Sequence, residues 1–256
     1  MLLAIDIGNS NVVIGCLNEN NETIKQFRMV TDLEKTDGEY ASSMKTILQY
    51  NNVNCAEFEG AIICSVVPPL TEIFRSAVEN ITGHRAMIVS AGVKTGLNIM
   101  IENPATLGSD LVAVSVGAMV DYPLPAIVLD MGTATTITVV DKGNKFLGGA
   151  IVPGVALSIN ALSSGTSLLQ QVPIEAPSKC ISTTTKESMQ SGAVYGSAAM
   201  IDGMIDRFEQ ELGCPASVVA TGGIAAKIIP YCKHHVIYDE NLLLRGLGLI
   251  YEENKH

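Results

Sequence analysis

The sequence predicts an α/β protein in which one domain occurs twice, and three observations predict it. An aliphatic strand ending in aspartate occurs at Leu2–Asp6 and again at Ala126–Asp130. Each is followed by a glycine turn, at Gly8 and at Gly132, and each turn by a returning strand. Ala4-Ile5-Asp6-Ile7-Gly8 and Val128-Leu129-Asp130-Met131-Gly132 agree in character and lie 124 residues apart. A period that long is too large for a solenoid and marks a duplicated domain, read as 1–115 and 116–256.

In the first half, Leu2–Asp6 reads as a buried strand, Gly8-Asn9-Ser10 as a tight turn and Val12–Cys16 as a second strand. Asn18–Asn21 turns the chain into a third strand at Thr23–Val30. A helix is expected over Asp37–Tyr50. The aliphatic run Ala61–Val67 is a strand stopped by Pro68-Pro69, and Leu70–Ile81 has helical spacing. After a helix at Asp110–Val120 the order restarts with strands at Ala126–Asp130, Thr135–Val140 and Lys145–Ile151. A long helix over Lys186–Leu212, a strand at Ala216–Ala220, a Thr221-Gly222-Gly223 turn and a last helix at Asn241–Glu253 follow.

Composition narrows the function. The 256 residues are 47% hydrophobic and only 16% charged, apolar enough to fit a large subunit interface. No stretch of about 18 apolar residues runs without a charge, a proline or a polar cluster, so no membrane span is expected. The opening Met1-Leu2-Leu3-Ala4-Ile5-Asp6 has no basic segment and reaches an acid too soon for a signal peptide, so the reading is cytoplasmic. A net charge of −10 with scattered lysines and arginines argues against nucleic acid as a partner. The six cysteines show no Cys-x-x-Cys spacing and are expected reduced and mostly buried. His234-His235 is expected at the surface, and no zinc or iron site is expected.

The two loops carry the chemistry. A strand that delivers an aspartate beside a glycine turn puts a carboxylate and free backbone N–H groups in one small space, which suits a metal-bound phosphate. Glycine lets the backbone approach the anion, and Asn9, Ser10 or Thr133 add side-chain donors. Carboxylates repel phosphate unless a cation stands between, so the pattern implies Mg²⁺ brought with ATP and held largely through water by an acid such as Asp6. Asp-x-Gly is also ordinary hairpin chemistry, and either loop alone would be even odds for a plain turn. Two copies at equivalent places are harder to set aside. Thr221-Gly222-Gly223 could admit an adenine ring against the backbone, although a plain strand-to-helix turn explains it as well.

Further stretches resemble the type III pantothenate kinases from end to end. They are Asp6-Ile7-Gly8-Asn9-Ser10-Asn11, Ser65-Val66-Val67-Pro68, Asp130-Met131-Gly132-Thr133-Ala134-Thr135, Gly148-Gly149-Ala150-Ile151-Val152-Pro153-Gly154, Met189-Gln190-Ser191-Gly192 and the terminal Gly246-Leu247 with Ile250-Tyr251-Glu252. The resemblance implies duplicated actin-like (ribonuclease H-like) ATPase domains with mixed five-stranded sheets flanked by helices. It implies transfer of the ATP γ-phosphoryl group to the primary hydroxyl of pantothenate, the first step of coenzyme A synthesis. ATP would contact Asp6, Ile7, Gly8, Asn9, Ser10, Asn11, Val12, Val13, Gly132, Thr133, Gly222 and Gly223. The family's Gly-x-Asp-Arg motif falls on Gly108-Ser109-Asp110-Leu111, which makes Asp110 the catalytic base; read from the residues alone, Ser109 or Asp110 is a helix cap. Asp130 would hold a monovalent cation, K⁺ or NH₄⁺. Thr185 would touch pantothenate, and a homodimer would complete the active sites.

The chain departs from the family at the acceptor side. Leu111 stands where the family has arginine, and Ile101 where it has a tyrosine, so a fork of donors and a hydroxyl are both missing. Thr184 replaces a usual asparagine and Gln170 a usual proline. The alternative is a nucleotide-binding regulator like the Bvg accessory factors, with weak or no kinase activity. Retention of Asp110 and of both loops favours the enzyme.

Overall fold

The computed structural model describes residues 1–255. In chain order the elements are β1 (Leu2–Ile7), β2 (Asn11–Leu17), β3 (Thr23–Val30), α1 (Asp37–Tyr50), β4 (Gly60–Ser65), α2 (Pro68–Thr82), β5 (Met87–Ile88) and β6 (Asn98–Ile99). Then come α3 (Ser109–Asp121), β7 (Ala126–Met131), β8 (Ala134–Val140), β9 (Lys145–Pro153), α4 (Val155–Gly165), α5 (Thr185–Ser191) and a π-helical turn at Gly192–Gly196. The chain ends with α6 (Ser197–Leu212), β10 (Ser217–Thr221), α7 (Ala225–Ile228), β11 (Ile237–Tyr238) and α8 (Leu242–Asn254). It folds as two compact units. One takes residues 1–97, 102–120 and 241 to the C-terminus, and the other takes 98–101 and 121–240.

The first unit is built on a sheet of order β3-β2-β1-β4-β5. Strand β1 is central, antiparallel to β2 and parallel to β4, and its alternation divides its side chains between two cores. Leu3, Ile5 and Ile7 join Tyr40, Met44 and Leu48 of α1 and Leu70 and Phe74 of α2 in one cluster. Tyr40 and Phe74 stack with ring centroids 4.2 Å apart. The Tyr40 hydroxyl, carried into this core, is satisfied by the backbone of Asp32, to whose carbonyl it donates at 2.8 Å. Helix α1 starts where a capping box allows it: Thr36 accepts from the Glu39 N–H, and the Glu39 carboxylate accepts from the Thr36 N–H. Helix α2 starts on Pro68 and stops at Gly83, whose φ is 74°.

Leu2, Ala4 and Asp6 point to the opposite face of this sheet, where α8 packs on β1, β2 and β4. The approach of α8 to α3 is backbone on backbone. A Cβ on Gly246 would run into the Ala113 carbonyl, and one on Gly117 would stand 2.6 Å from the Leu242 carbonyl.

The second unit repeats the design. Its sheet has the order β11-β10-β7-β8-β9-β6, with β7 antiparallel to β8 and parallel to β10. Ile127, Leu129 and Met131 enter a core with Val155 and Ile159 of α4, Met189 of α5, and Ile201 and Ile205 of α6. Asp130, like Asp6, faces away from that core. In both units the returning pair carries a register shift at its far end, at Cys16/Leu17 and at Val139/Val140. The sheet has one strand more than the five expected, because β6 adds to the edge of β9 through two residues.

Four local features differ from the expectation. The long helix over 186–212 is helical throughout but bulges into the π turn, whose ends are Gly192 and Gly196. Helix α4 follows Pro153-Gly154 unexpectedly, in a stretch whose serines and small residues gave no clear period. The cysteines are all free, yet Cys180 is exposed while Cys16 and Cys64 are buried. Of the histidine pair, His235 is exposed, and His234 is half-buried with Nε2 2.8 Å from an Asp206 carboxylate oxygen.

Gly246→Ala is expected to destabilise the protein by about 2–3 kcal/mol, since backbone rather than a pliable side chain opposes the added methyl. That corresponds to a fall of about 4–12 °C in a thermal melt. A melt within a degree of wild type would show that α8 can step away from α3 at no cost.

Candidate active site

Each unit presents its aspartate at the C-terminal end of a central strand. In the first unit the turn is three residues, Gly8-Asn9-Ser10, closed by a 3.0 Å bond from the Gly8 N–H to the Asn11 carbonyl. In the second it is two residues, Gly132-Thr133, closed by a 3.0 Å bond from the Gly132 N–H to the Ala134 carbonyl. Asn9, Ser10, Asn11, Gly132 and Thr133 are exposed, while Ile7 and Val12 are buried beneath the first turn and Val13 is half-buried. Thr31 braces that turn, its hydroxyl donating to the Gly8 carbonyl at 2.6 Å.

The surroundings of the two aspartates differ. Asp6 stands in register with Val13 on β2 and with Cys64 on β4. The Cys64 thiol donates to Asp6 Oδ1 at 3.1 Å. Cys64 is buried, and that burial, together with the charges of Asp6 and Asp110, raises its pKa well above the usual thiol range. It is therefore a permanent donor rather than a nucleophile. Asp130 stands in register with Thr136 on β8 and Thr221 on β10, so two hydroxyl side chains share its face of the sheet. Thr221 is buried, and the buried Thr136 Oγ1 has no protein partner.

Asp110 belongs to the first unit and to the first turn of α3. Its Oδ1 accepts the Leu111 N–H at 2.8 Å, so it caps the helix as well as standing near Cys64. Burial raises its pKa above the ordinary 3.8, and hydrogen bonds from backbone N–H groups offset only part of the rise. Gly108 leaves the carboxylate its space, since a Cβ there would meet Asp110 Oδ1. Ser109 does not face outward with its hydroxyl; it accepts from the Ser65 N–H at 3.0 Å and donates to the Ser65 carbonyl at 3.1 Å. Leu111 is half-buried.

The second unit brings two glycines, Gly222 and Gly154, against its loop. Gly222 has φ 94°, and its Cα lies so close to β7 that a Cβ would stand 2.6–2.7 Å from the Met131 backbone. Gly154 donates to the Thr133 carbonyl at 3.0 Å, and a Cβ there would strike the carbonyls of Gly132 and Thr133. Helix α4 therefore begins against the phosphate-sized turn, with the positive end of its dipole on that side. Sequence reading missed α4 and the threonines around Asp130; the Pro153-Gly154 pair was the available signal. Gly223 follows Gly222 in the turn before α7. Ile101 lies against Gly148 in this unit, and exposed Thr185 opens α5 behind the cap Thr184, which accepts the Glu187 N–H at 3.2 Å.

No cluster of three or more His, Cys, Asp or Glu able to hold a metal exists among the described residues. The oxygen-only donors at Asp130, Thr136 and Thr221 suit a hard monovalent cation, and the orphaned Thr136 hydroxyl fits that use. Among the described residues no helix is long and apolar enough to cross a membrane.

Duplicated α/β units, each with an aspartate and a glycine turn at the end of its central strand, are the frame of the actin-like fold that kinases and other ATPases share. Residues 2–207 match the family model of type III pantothenate kinase. Relatives so named are 39% identical in Brevibacillus brevis and 37% identical in an Exiguobacterium species, each over 255 residues that span the whole of both chains. The chain belongs to the type III pantothenate kinase family. Among solved structures, a Baf family transcriptional activator from Campylobacter jejuni superposes with a TM-score of 0.60 at 22% identity, over 98% of each chain. An activator of 2-hydroxyisocaproyl-CoA dehydratase from Clostridium difficile gives 0.57 at 11% identity, over 98% of this chain and 95% of that one. At such identities they establish the shared fold.

The raised pKa of Asp110 makes a signed prediction. The folded state holds the Asp110 proton more tightly than the unfolded state, so the contribution to stability is complete below the ordinary 3.8 and is lost as pH rises through the folded value. Asp110→Asn, neutral at every pH, should melt higher than wild type at pH 8, and the gap should close as pH falls towards 4. A mutant that melts lower at pH 8 would mean that the carboxylate is stabilised, not strained, by its surroundings.

Proposed function

We propose that this enzyme phosphorylates pantothenate with ATP, giving 4'-phosphopantothenate, with Asp110 as the base. One observation carries the residue assignment: in the first unit, a carboxyl group whose proton affinity is raised by burial stands near Cys64, the donor to Asp6 at the phosphate turn. The pantothenate hydroxyl oxygen attacks the γ-phosphorus as the bond from that phosphorus to the β,γ-bridging oxygen breaks, and ADP leaves. The hydroxyl proton passes to the Asp110 carboxylate, for which a raised pKa is an advantage. In the first unit the phosphate donors of this reading are the turn amides after Asp6 with Asn9, Ser10 and Asn11; in the second they are those after Asp130 with Thr133, and the turn at Gly222-Gly223 is the adenosine contact. Asp6 would hold through water the Mg²⁺ that comes with ATP, and Asp130 with Thr136 and Thr221 would hold K⁺ or NH₄⁺, ions that would supply neutralisation of the phosphate charge.

The acceptor contacts in this reading are the Gly108–Leu111 turn, Ile101 and Thr185. With Leu111 and Ile101 both apolar, backbone N–H groups and Thr185 would hold pantothenate where the family has a guanidinium and a phenol. A homodimer is supported by the large apolar side chains left exposed on consecutive elements of the second unit, Ile151 at 72% on β9 and Leu157 and Leu162 at 47% on α4. A cytoplasmic location goes with six cysteines that are all free.

A coupled ADP-release assay with Mg²⁺ and K⁺ or NH₄⁺ tests the reading: release should require pantothenate, and exchange of K⁺ for Na⁺ should lower it. Absence of pantothenate-dependent release would return the chain to a nucleotide-binding regulator. Asp110→Asn should lower kcat by at least about 100-fold with ATP binding little changed. Leu111→Arg should lower the KM for pantothenate by about tenfold, the worth of a charge-assisted hydrogen bond; an unchanged KM would show that position 111 does not face the acceptor.

A further inference from the structure

Strand β5 is only two residues long, and its last bond to β4 runs from the Val89 N–H to the Ile63 carbonyl at 2.9 Å. In a parallel strand the backbone groups of alternate residues point to the same side. Those of Val66 turn towards β1, where its N–H donates to the Ile7 carbonyl at 3.0 Å. Those of Ser65, like those of Ile63, turn to the side that β5 has already left. The Ser109 hydroxyl takes up both, accepting the Ser65 N–H at 3.0 Å and donating to its carbonyl at 3.1 Å. One side chain thus stands in for the missing strand. Only a hydroxyl can accept and donate so compactly, and without it two half-buried backbone groups would lack partners.

Ser109 is also the first residue of α3, and Asp110 the second. The Gly108 carbonyl accepts the Val112 N–H at 3.2 Å, so the first turn of the helix is formed directly around the serine. We propose that Ser109 is a positioning residue for phosphoryl transfer, its double hydrogen bond to Ser65 fixing the first turn of α3 on β4 and thereby the place of the Asp110 carboxylate. The proposal rests on Asp110 being the base. Ser109 acts through Asp110: its hydroxyl proton is committed to the Ser65 carbonyl and one of its lone pairs to the Ser65 N–H. Displacement of a base by about 1 Å is enough to lower a rate by about 100-fold.

The test is pantothenate-dependent ADP release by the full chain at saturating ATP, Mg²⁺ and K⁺, for wild type, Asp110→Asn, Ser109→Ala and Ser109→Thr. Ser109→Ala should lower kcat by about 10- to 100-fold, with the KM for ATP within about twofold of wild type. Ser109→Thr, which keeps the hydroxyl, should restore kcat to within about threefold. The proposal is overturned if Ser109→Ala keeps wild-type kcat, if its loss appears in the KM for ATP instead, or if threonine fails to rescue. Should Ser109→Ala show no cooperative melt, Ser109→Cys carries the test, since a thiol keeps the volume but bonds poorly; its kcat should fall, and a wild-type kcat overturns the proposal. An active Asp110→Asn would instead refute the base, and the proposal would fall with it.

Discussion

The constraint on which the rest depends is the short bond that closes each turn, from Gly8 to the Asn11 carbonyl and from Gly132 to the Ala134 carbonyl. It folds the returning strand back at once, so the preceding strand must end at the turn with its last side chains committed to alternate faces. Ile7 and Met131 are then buried in the helix-covered cores, and Asp6 and Asp130 are sent to the other face. A one-residue slip of either strand would exchange them, burying a carboxylate among α1 and α2 and exposing an isoleucine. Core packing therefore decides which face of the sheet each acid takes.

Duplication preserved the frame and let the neighbours diverge. The first turn has one residue more than the second, and the residue beside the aspartate on the adjoining parallel strand is Cys64 in one unit and Thr221 in the other. A thiol held protonated by burial keeps its S–H for Asp6 Oδ1, so Cys64 orients Asp6. Hydroxyls both donate and accept, so Thr221 and Thr136 can turn their lone pairs towards a cation beside Asp130. On the proposed assignment this separates a water-mediated divalent ion from a directly held monovalent one, using the same strand position in each copy.

The strands, the repeat and both loops were legible because they depend on local signals: an aliphatic run, an acid, a glycine. The start of β3 follows from the Asn18–Asn21 turn and that of α1 from the Thr36–Glu39 box, which are equally local. What escaped depends on contacts distant in sequence. The two-residue strands β5, β6 and β11 have no period to read and exist only because an edge was available. The place of α8 in the first unit follows from Gly246 and Gly117, whose meaning appears only when two backbones meet. In the site, Gly108-Ser109-Asp110 was recognisable as a motif, but not the partnership of Ser109 with Ser65, 44 residues away. Helix α4 was missed because its buried face is only Val155 and Ile159, too little for a helical period in a serine-rich stretch.

Leu111 has two opposed consequences at the acceptor side. It removes a guanidinium fork, which weakens recognition of a carboxylate. A guanidinium beside Asp110 would also favour the ionised carboxylate and lower its affinity for a proton. With leucine there, burial is the first cause acting on Asp110, the backbone N–H groups of Leu111 and Asp110 are the countervailing ones, and the net shift is upward. A base is better the more tightly it takes the proton, provided it is still ionised at the working pH. On the proposed assignment, the same substitution that costs a binding contact leaves the proton acceptor stronger, so acceptor affinity and the chemical step move in opposite directions at this position.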